Sequence, residues 1–339
     1  MDNAVLKSFF NQGDEFRILF RQIANKSSVH AYLITGEKGT GKHTLAGLMG
    51  AALLCSSEEM RPCGICRNCK LAEKRDHPDL IVIEKGNPIA PGIKKDRATI
   101  PVEDIREMIR MCGVRSTEGN MHVILIFDAD KMTPQAQNCL LKTLEEPPAD
   151  TCLILVTDHP EFLLTTVISR CRLIRMKGWP DEYILKVLHE KDVPERRAAD
   201  AVSASAGSIG RALELASDDR YWELREEIMN VFFRTTSRSE VLKISSAWKE
   251  RKQDADQFLG ILETFVGQLA EARFRCLTVP NTFPLQWQRF SKEASPDRFL
   301  VLSECIANAR KQLQYSVNFQ AVFEKMIFTF MGEGNIWLQ

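Results

Sequence analysis

Two sets of residues in this chain have the types and spacing for chemistry. The first is residues 36–42, Gly36-Glu37-Lys38-Gly39-Thr40-Gly41-Lys42, followed by His43 and Thr44. A GxxxxGK run between a strand and a helix points its backbone N–H groups at phosphate oxygens, and the lysine reaches the outer phosphates. The second set is Cys55, Cys63, Cys66 and Cys69. Seven residues separate Cys55 from Cys63, and two lie in each later gap. Two CxxC steps sharing Cys66 place three thiolates on one tight knuckle. Cys55, at the end of the preceding helix, closes a tetrahedral site for one structural zinc. An iron–sulfur cluster is the other chemistry such cysteines support.

The phosphate loop departs from its pattern. The residue after the lysine is normally Ser or Thr, whose hydroxyl helps hold Mg²⁺. Here it is His43, and Thr44 comes one residue late, about 100° further around the helix. The acidic residue directed at the metal is expected at the end of the third strand, where Asp128 stands. The next position is Ala129, and a methyl group cannot orient water. Asp130 follows, but neighbours at a strand end point to opposite sides. The sequence therefore predicts at most weak ATP or ADP binding, through Gly36, Lys38, Gly39, Thr40, Gly41, Lys42, His43, Thr44 and Asp128, and no hydrolysis. A solvated turn is the plain alternative for residues 128–130.

These residues need a scaffold. Short apolar runs at 31–35, 80–83, 123–127 and 152–156, with 173–174 as a possible fifth, read as buried parallel strands. Helices are expected over 42–54, 102–111 and 135–146, the last stopped by Pro147-Pro148. Helical apolar residues also mark 6–24, while 86–99 reads as a loop. Strands alternating with helices give an α/β parallel sheet covered on both faces. Beyond residue 177 only helices are expected. Apolar stripes run along Trp222, Leu224, Ile228, Val231 and Phe232, along Phe258, Leu262, Phe265 and Leu269, and along Phe319, Val322, Phe323, Met326 and Phe330. Boundaries near 177 and 218 make three parts: an α/β domain with the cysteine module at 1–177, a small helical lid at 178–218 and a helical collar at 219–339.

The chain has 339 residues, 44% of them hydrophobic, and 45 basic against 45 acidic residues. A net charge of zero argues against a protein whose main task is gripping nucleic acid. No signal peptide opens the chain and no apolar run is long enough for a bilayer. The cytoplasm is expected, with the scattered Cys112, Cys139, Cys152, Cys171, Cys276 and Cys305 reduced.

Several stretches together resemble the clamp-loader branch of bacterial AAA+ proteins, over most of the chain. They are His30-Ala31-Tyr32-Leu33 leading into the phosphate loop, the cysteine module, His77-Pro78-Asp79-Leu80, the run 140–148 (LLKTLEEPP) and Ser169-Arg170-Cys171. The first cysteine gap is one residue shorter than the family's common spacing. That resemblance implies a subunit of the DNA polymerase III clamp loader, a hetero-oligomer that also contains gamma/tau and delta subunits. Its partners are the sliding clamp and, through the complex, primer-template DNA. The resemblance makes Thr157 the position that senses a γ-phosphate and Arg170 an arginine that projects into a neighbour's ATP site. ATP-hydrolysing members carry Asp-Glu where this chain has Asp128-Ala129, and Lys-Thr or Lys-Ser where it has Lys42-His43. Their lid arginine falls where this chain has Gly210, with Arg211 one step late. These departures point to the stator type of subunit. The alternatives are a gamma/tau-type ATPase and a nucleic-acid module that reads DNA with its zinc knuckle. Few aromatics near the cysteines count against the latter. Glu145 and Glu146, adjacent on a helix, are read as helix-end residues.

Overall fold

Runs of Ile, Val and Leu without polar alternation need both faces covered, and the chain supplies this with helices between every pair of strands. The computed structural model describes residues 3–331 apart from 26, 59, 94, 96, 118–120, 236, 250, 275–282 and 315–317. Cys276 and two positions of the 86–99 loop lie outside the described residues. In chain order come α1 (Asn3–Phe9), α2 (Asp14–Ala24), β1 (Ala31–Thr35), α3 (Lys42–Leu54), α4 (Arg67–Glu73) and β2 (Leu80–Ile83). There follow α5 (Val102–Cys112), β3 (His122–Ile126), α6 (Pro134–Glu145), β4 (Thr151–Thr157), α7 (Thr165–Ile168) and β5 (Arg172–Arg175). The remainder is helical: α8 (Asp181–His189), α9 (Glu195–Ser205), α10 (Ile209–Ser217), α11 (Asp219–Ile228), α12 (Arg238–Trp248), α13 (Ala255–Phe274), α14 (Leu285–Glu293), α15 (Pro296–Gln314) and α16 (Phe319–Met331).

The five strands form one parallel sheet in the order β2-β3-β4-β1-β5. All residues of β1, β3 and β4 are buried. Placing β1 between β4 and β5 brings the C-terminal ends of β1, β3 and β4 together, the edge where open α/β sheets bind ligands. Below that edge Leu33, Ile124, Ile126, Leu153 and Leu155 pack with Ile105, Met108, Leu140 and Leu144. Helix α6 starts cleanly because Thr133 caps it, its hydroxyl accepting from the Ala136 N–H at 3.2 Å, and Pro134 occupies the first turn. In α2 the buried stripe is Phe16, Leu19, Phe20 and Ile23, and Ile18 faces solvent.

The chain divides into two compact units, residues 1–187 with 207–211, and residues 188–206 with 212–339. The second unit buries all three expected apolar stripes in one core, except for Trp222, which is partly buried against it. Phe232 meets Phe323 and Phe330 edge-on, and Phe233 meets Phe265 and Trp287. Within the same unit Arg225, 4% exposed, pairs with Asp200 at 3.0 Å and lies 4.6 Å from the ring centre of Phe265. No described helix is long and apolar enough to cross a membrane.

Candidate functional site

The loop from β1 to α3 has the form the motif requires. Gly41 takes a left-handed conformation, φ 95°, at the N-cap of α3. Its helix N-terminus has no side-chain cap, which leaves N–H groups for an anion. The Thr40 hydroxyl donates to the carbonyl of Glu37 at 2.8 Å. The groups expected to meet a nucleotide are largely engaged within the chain. The Lys42 side chain is 2% exposed, and its ammonium lies 2.6 Å from Oδ1 of Asp158 and 2.5 Å from the carbonyl of Glu37. Thr157 donates its only hydroxyl proton to Oδ1 of Asp130 at 2.7 Å and accepts from the His159 N–H at 2.9 Å. A hydroxyl carries one donor, so none remains for a phosphate. Burial pushes the Asp130 carboxyl up, but Lys131 and Thr157 outweigh it and hold the group low.

His43, in the magnesium-ligand position, stacks on Phe127 with ring centres 4.4 Å apart and planes 14° from parallel. Burial of that face lowers its pKa against the pull of Asp128, so the ring is neutral at pH 7. Its other side stays open, and with Thr44, Arg75 and Phe127 it lines a cleft of about 360 Å³. Asp128 has left-handed backbone, φ 49°, and its carboxylate lies 3.9 Å from the Lys85 ammonium. Ala129 is fully buried.

The segment 207–211 closes against the loop. Ser208 Oγ donates to the Lys38 carbonyl at 2.8 Å, the Gly210 N–H to the Gly39 carbonyl at 2.9 Å, and the Trp179 indole N–H to the Thr40 carbonyl at 2.8 Å. A Cβ on Gly210 would stand 2.9 Å from Gly39 Cα, and one on Gly39 would stand 2.3 Å from Ser208 Oγ. The lid arginine is therefore not merely displaced to Arg211: position 210 has no room for a side chain.

Arg170 follows α7 and is presented by a locked segment. The buried amide of Gln137 on α6 donates to the carbonyls of Met132 (3.3 Å) and Phe162 (3.2 Å) and accepts from the Leu164 N–H (2.7 Å). Arg170 itself donates through Nη1 to the Thr166 carbonyl at 2.9 Å and through Nη2 to Glu145 Oε1 at 2.5 Å. Glu145 thus does more than end a helix. Burial pushes the neighbouring Cys171 thiol up to about 12, so it is no nucleophile at neutral pH.

The four clustered cysteines converge. Their sulfurs all lie within 4.8 Å of one another, with Cys55–Cys66 at 3.9 Å and Cys63–Cys69 at 4.0 Å. A tetrahedral zinc with Zn–S near 2.3 Å has S···S edges of about 3.8 Å, so the set fits one metal ion. Backbone N–H groups of Ser57, Cys66 and Cys69 donate to the sulfurs of Cys55, Cys63 and Cys66 at 3.4, 3.4 and 3.3 Å. Such donors favour thiolate ligands. As free thiols these groups differ: burial pushes those of Cys55 and Cys69 up, whereas at Cys66 burial is outweighed by the surrounding donors, the Cys69 N–H foremost, which bring it down to about 6.

Sequence reasoning missed Asp158, Gln137 and Ser208. Asp158 carried a signal, an acid at the C-terminal end of a central strand. Gln137 carried another, a polar residue in register with Leu140 and Leu144.

The sheet order, with a phosphate loop after β1 and acids just beyond β3 and β4, defines a P-loop α/β fold. A family described as DNA polymerase III, delta subunit, matches residues 11–179. The DNA polymerase III subunit delta' of Bacillus subtilis is 28% identical over 331 residues, 92% of this chain and 93% of that protein. The delta' subunit of Haemophilus influenzae is 30% identical over 240 residues, 69% of each chain. The tau subunit of Salmonella typhimurium is 34% identical over 193 residues, 55% of this chain and 28% of that one. The chain belongs to the DNA polymerase III subunit delta' family.

Proposed function

We propose that this chain is the stator of a DNA polymerase III clamp loader. It assembles with gamma/tau and delta subunits, helps open the sliding clamp and place it on primed DNA, and donates Arg170 to the ATP site of a neighbouring subunit. One contrast carries the reading. The chain's own phosphate-loop groups are engaged internally, with Lys42 on Asp158 and Thr157 on Asp130, and position 129 is alanine, while the Arg170 fork is partly exposed and held in place. A guanidinium stays charged and matches phosphate oxygens, so it stabilises charge that builds on a transferring γ-phosphate. In this reading 1–177 is the AAA+ domain, 178–218 its lid and 219–339 the oligomerising collar. Cys55, Cys63, Cys66 and Cys69 hold a structural zinc that fixes the segment between α3 and β2. ATP or ADP binds weakly at Gly36, Lys38, Gly39, Thr40, Gly41, Lys42, His43, Thr44 and Asp128.

Affinity purification of the tagged chain with mass spectrometry tests the assembly. The expected result is recovery of gamma/tau and delta subunits, with no ATP turnover by the isolated chain. A steady turnover that disappears with Lys42→Ala would favour a gamma/tau-type ATPase instead.

A further inference from the structure

Arg170 does not hang free. Two of its five N–H donors are used inside the chain, one on the Thr166 carbonyl and one on Glu145 Oε1. The guanidinium has three further N–H donors. Both side chains keep part of their surface in solvent, 34% for Arg170 and 50% for Glu145. Pairs exposed to this degree add little to stability, so a purely structural purpose is a weak explanation for a 2.5 Å charge-assisted contact.

We propose that Glu145 is a positioning residue for Arg170. Its carboxylate, on the last residue of α6, holds one edge of the guanidinium fork, so that the free edge is aimed at phosphate oxygens of a nucleotide bound by the neighbouring subunit. The inference rests on the trans-acting role of Arg170 proposed above. Arginine has high rotamer entropy, and a fork fixed in advance loses less of it when the phosphate arrives. The carboxylate's own position is fixed in turn. Gln137, on the same helix, ties α6 to the segment that leads into α7, so the two ends of the Glu145–Arg170 contact are held as one body. Glu145 touches no nucleotide itself. It acts through Arg170 alone, and that separates it from a residue that merely finishes a helix.

A double-mutant cycle in the reconstituted clamp loader tests this. Glu145→Ala, Arg170→Ala and the double variant are compared by single-turnover ATP hydrolysis, so that the site beside this chain resolves as its own phase, together with ATP affinity. Glu145→Ala should slow that phase by about 3- to 30-fold, less than the roughly 10²-fold that an ångström of misplacement can cost. It should leave ATP affinity unchanged and add nothing in the Arg170→Ala background. Glu145→Gln, which keeps an acceptor, should recover part of the rate. Normal turnover with Glu145→Ala, or an equal loss in both backgrounds, would overturn the positioning role while leaving the arginine finger intact. Normal turnover with Arg170→Ala would remove both.

Discussion

The Lys42 ammonium lies 2.6 Å from the Asp158 carboxylate, and the two ends of this pair are unequally buried, at 2% and 33% exposed. Removing the carboxylate leaves a buried cation with only the Glu37 carbonyl, whereas removing the cation leaves an acid that water still reaches. Asp158→Ala should therefore lower stability by about 1–3 kcal/mol, the cost of an unsatisfied buried group. Lys42→Met should cost less. The shift in urea midpoint measures both, and the reverse order would contradict the pairing. Asp158→Asn should also tighten binding of a fluorescent ADP analogue, because Lys42 regains a free charge.

His43 gives a pH dependence of known sign. Burial on Phe127 depresses its pKa in the folded chain. Stability from the neutral ring is complete above the unfolded value of about 6.5 and is lost as pH falls from there toward the folded value. His43→Phe keeps the stack and removes the titration. It should flatten the fall in melting temperature between about pH 7.5 and 5.5. The change will be modest because the ring is partly open to solvent, and an unchanged profile would exclude His43 as its source.

Metal removal should unfold the knuckle. Plasma emission analysis should find about one zinc per chain, as expected for one Cys₄ site. Cys66→Ser should release it and expose residues 55–73 to protease, since binding energy in such modules is folding energy. A metal-free chain with full protease resistance would contradict this.

Much of this was visible in the sequence. The β1-loop-α3 unit could be read residue by residue, because glycines stop an apolar run and GxxxxGK opens a helix at Lys42. The cysteine spacing likewise specified its own ligand set. What stayed hidden was pairing between distant segments. Lys42 meets Asp158 only because β4 lies beside β1, and Arg170 meets Glu145 only because α6 packs on α7. The missing lid arginine was legible at Gly210, but its cause, the approach of Gly39, required the folded chain. Strand β4 gained Thr151 and Thr157 through backbone pairing with β3 and β1, which side-chain type does not reveal.

The same close approach predicts a failed rescue. His43→Thr with Ala129→Glu restores two of the side chains hydrolysis lacks, yet the isolated chain should still turn over no ATP, because Gly210 has no space for an arginine and Thr157 remains on Asp130. Measurable phosphate release from the double variant would show that those two positions alone had silenced the site.

The central claim is that Arg170 works in a neighbour's ATP site, and hydrolysis by the whole complex tests it most directly. Clamp loader reconstituted with Arg170→Ala should assemble normally. In single-turnover assays with clamp and primed DNA, the site beside this chain should slow by at least about 10-fold, where fingers in other NTPases are worth about 10³–10⁵. Arg170→Lys should restore only part, having charge but no fork. An Arg170→Ala complex that hydrolyses ATP and loads clamps at the parental rate would contradict the account.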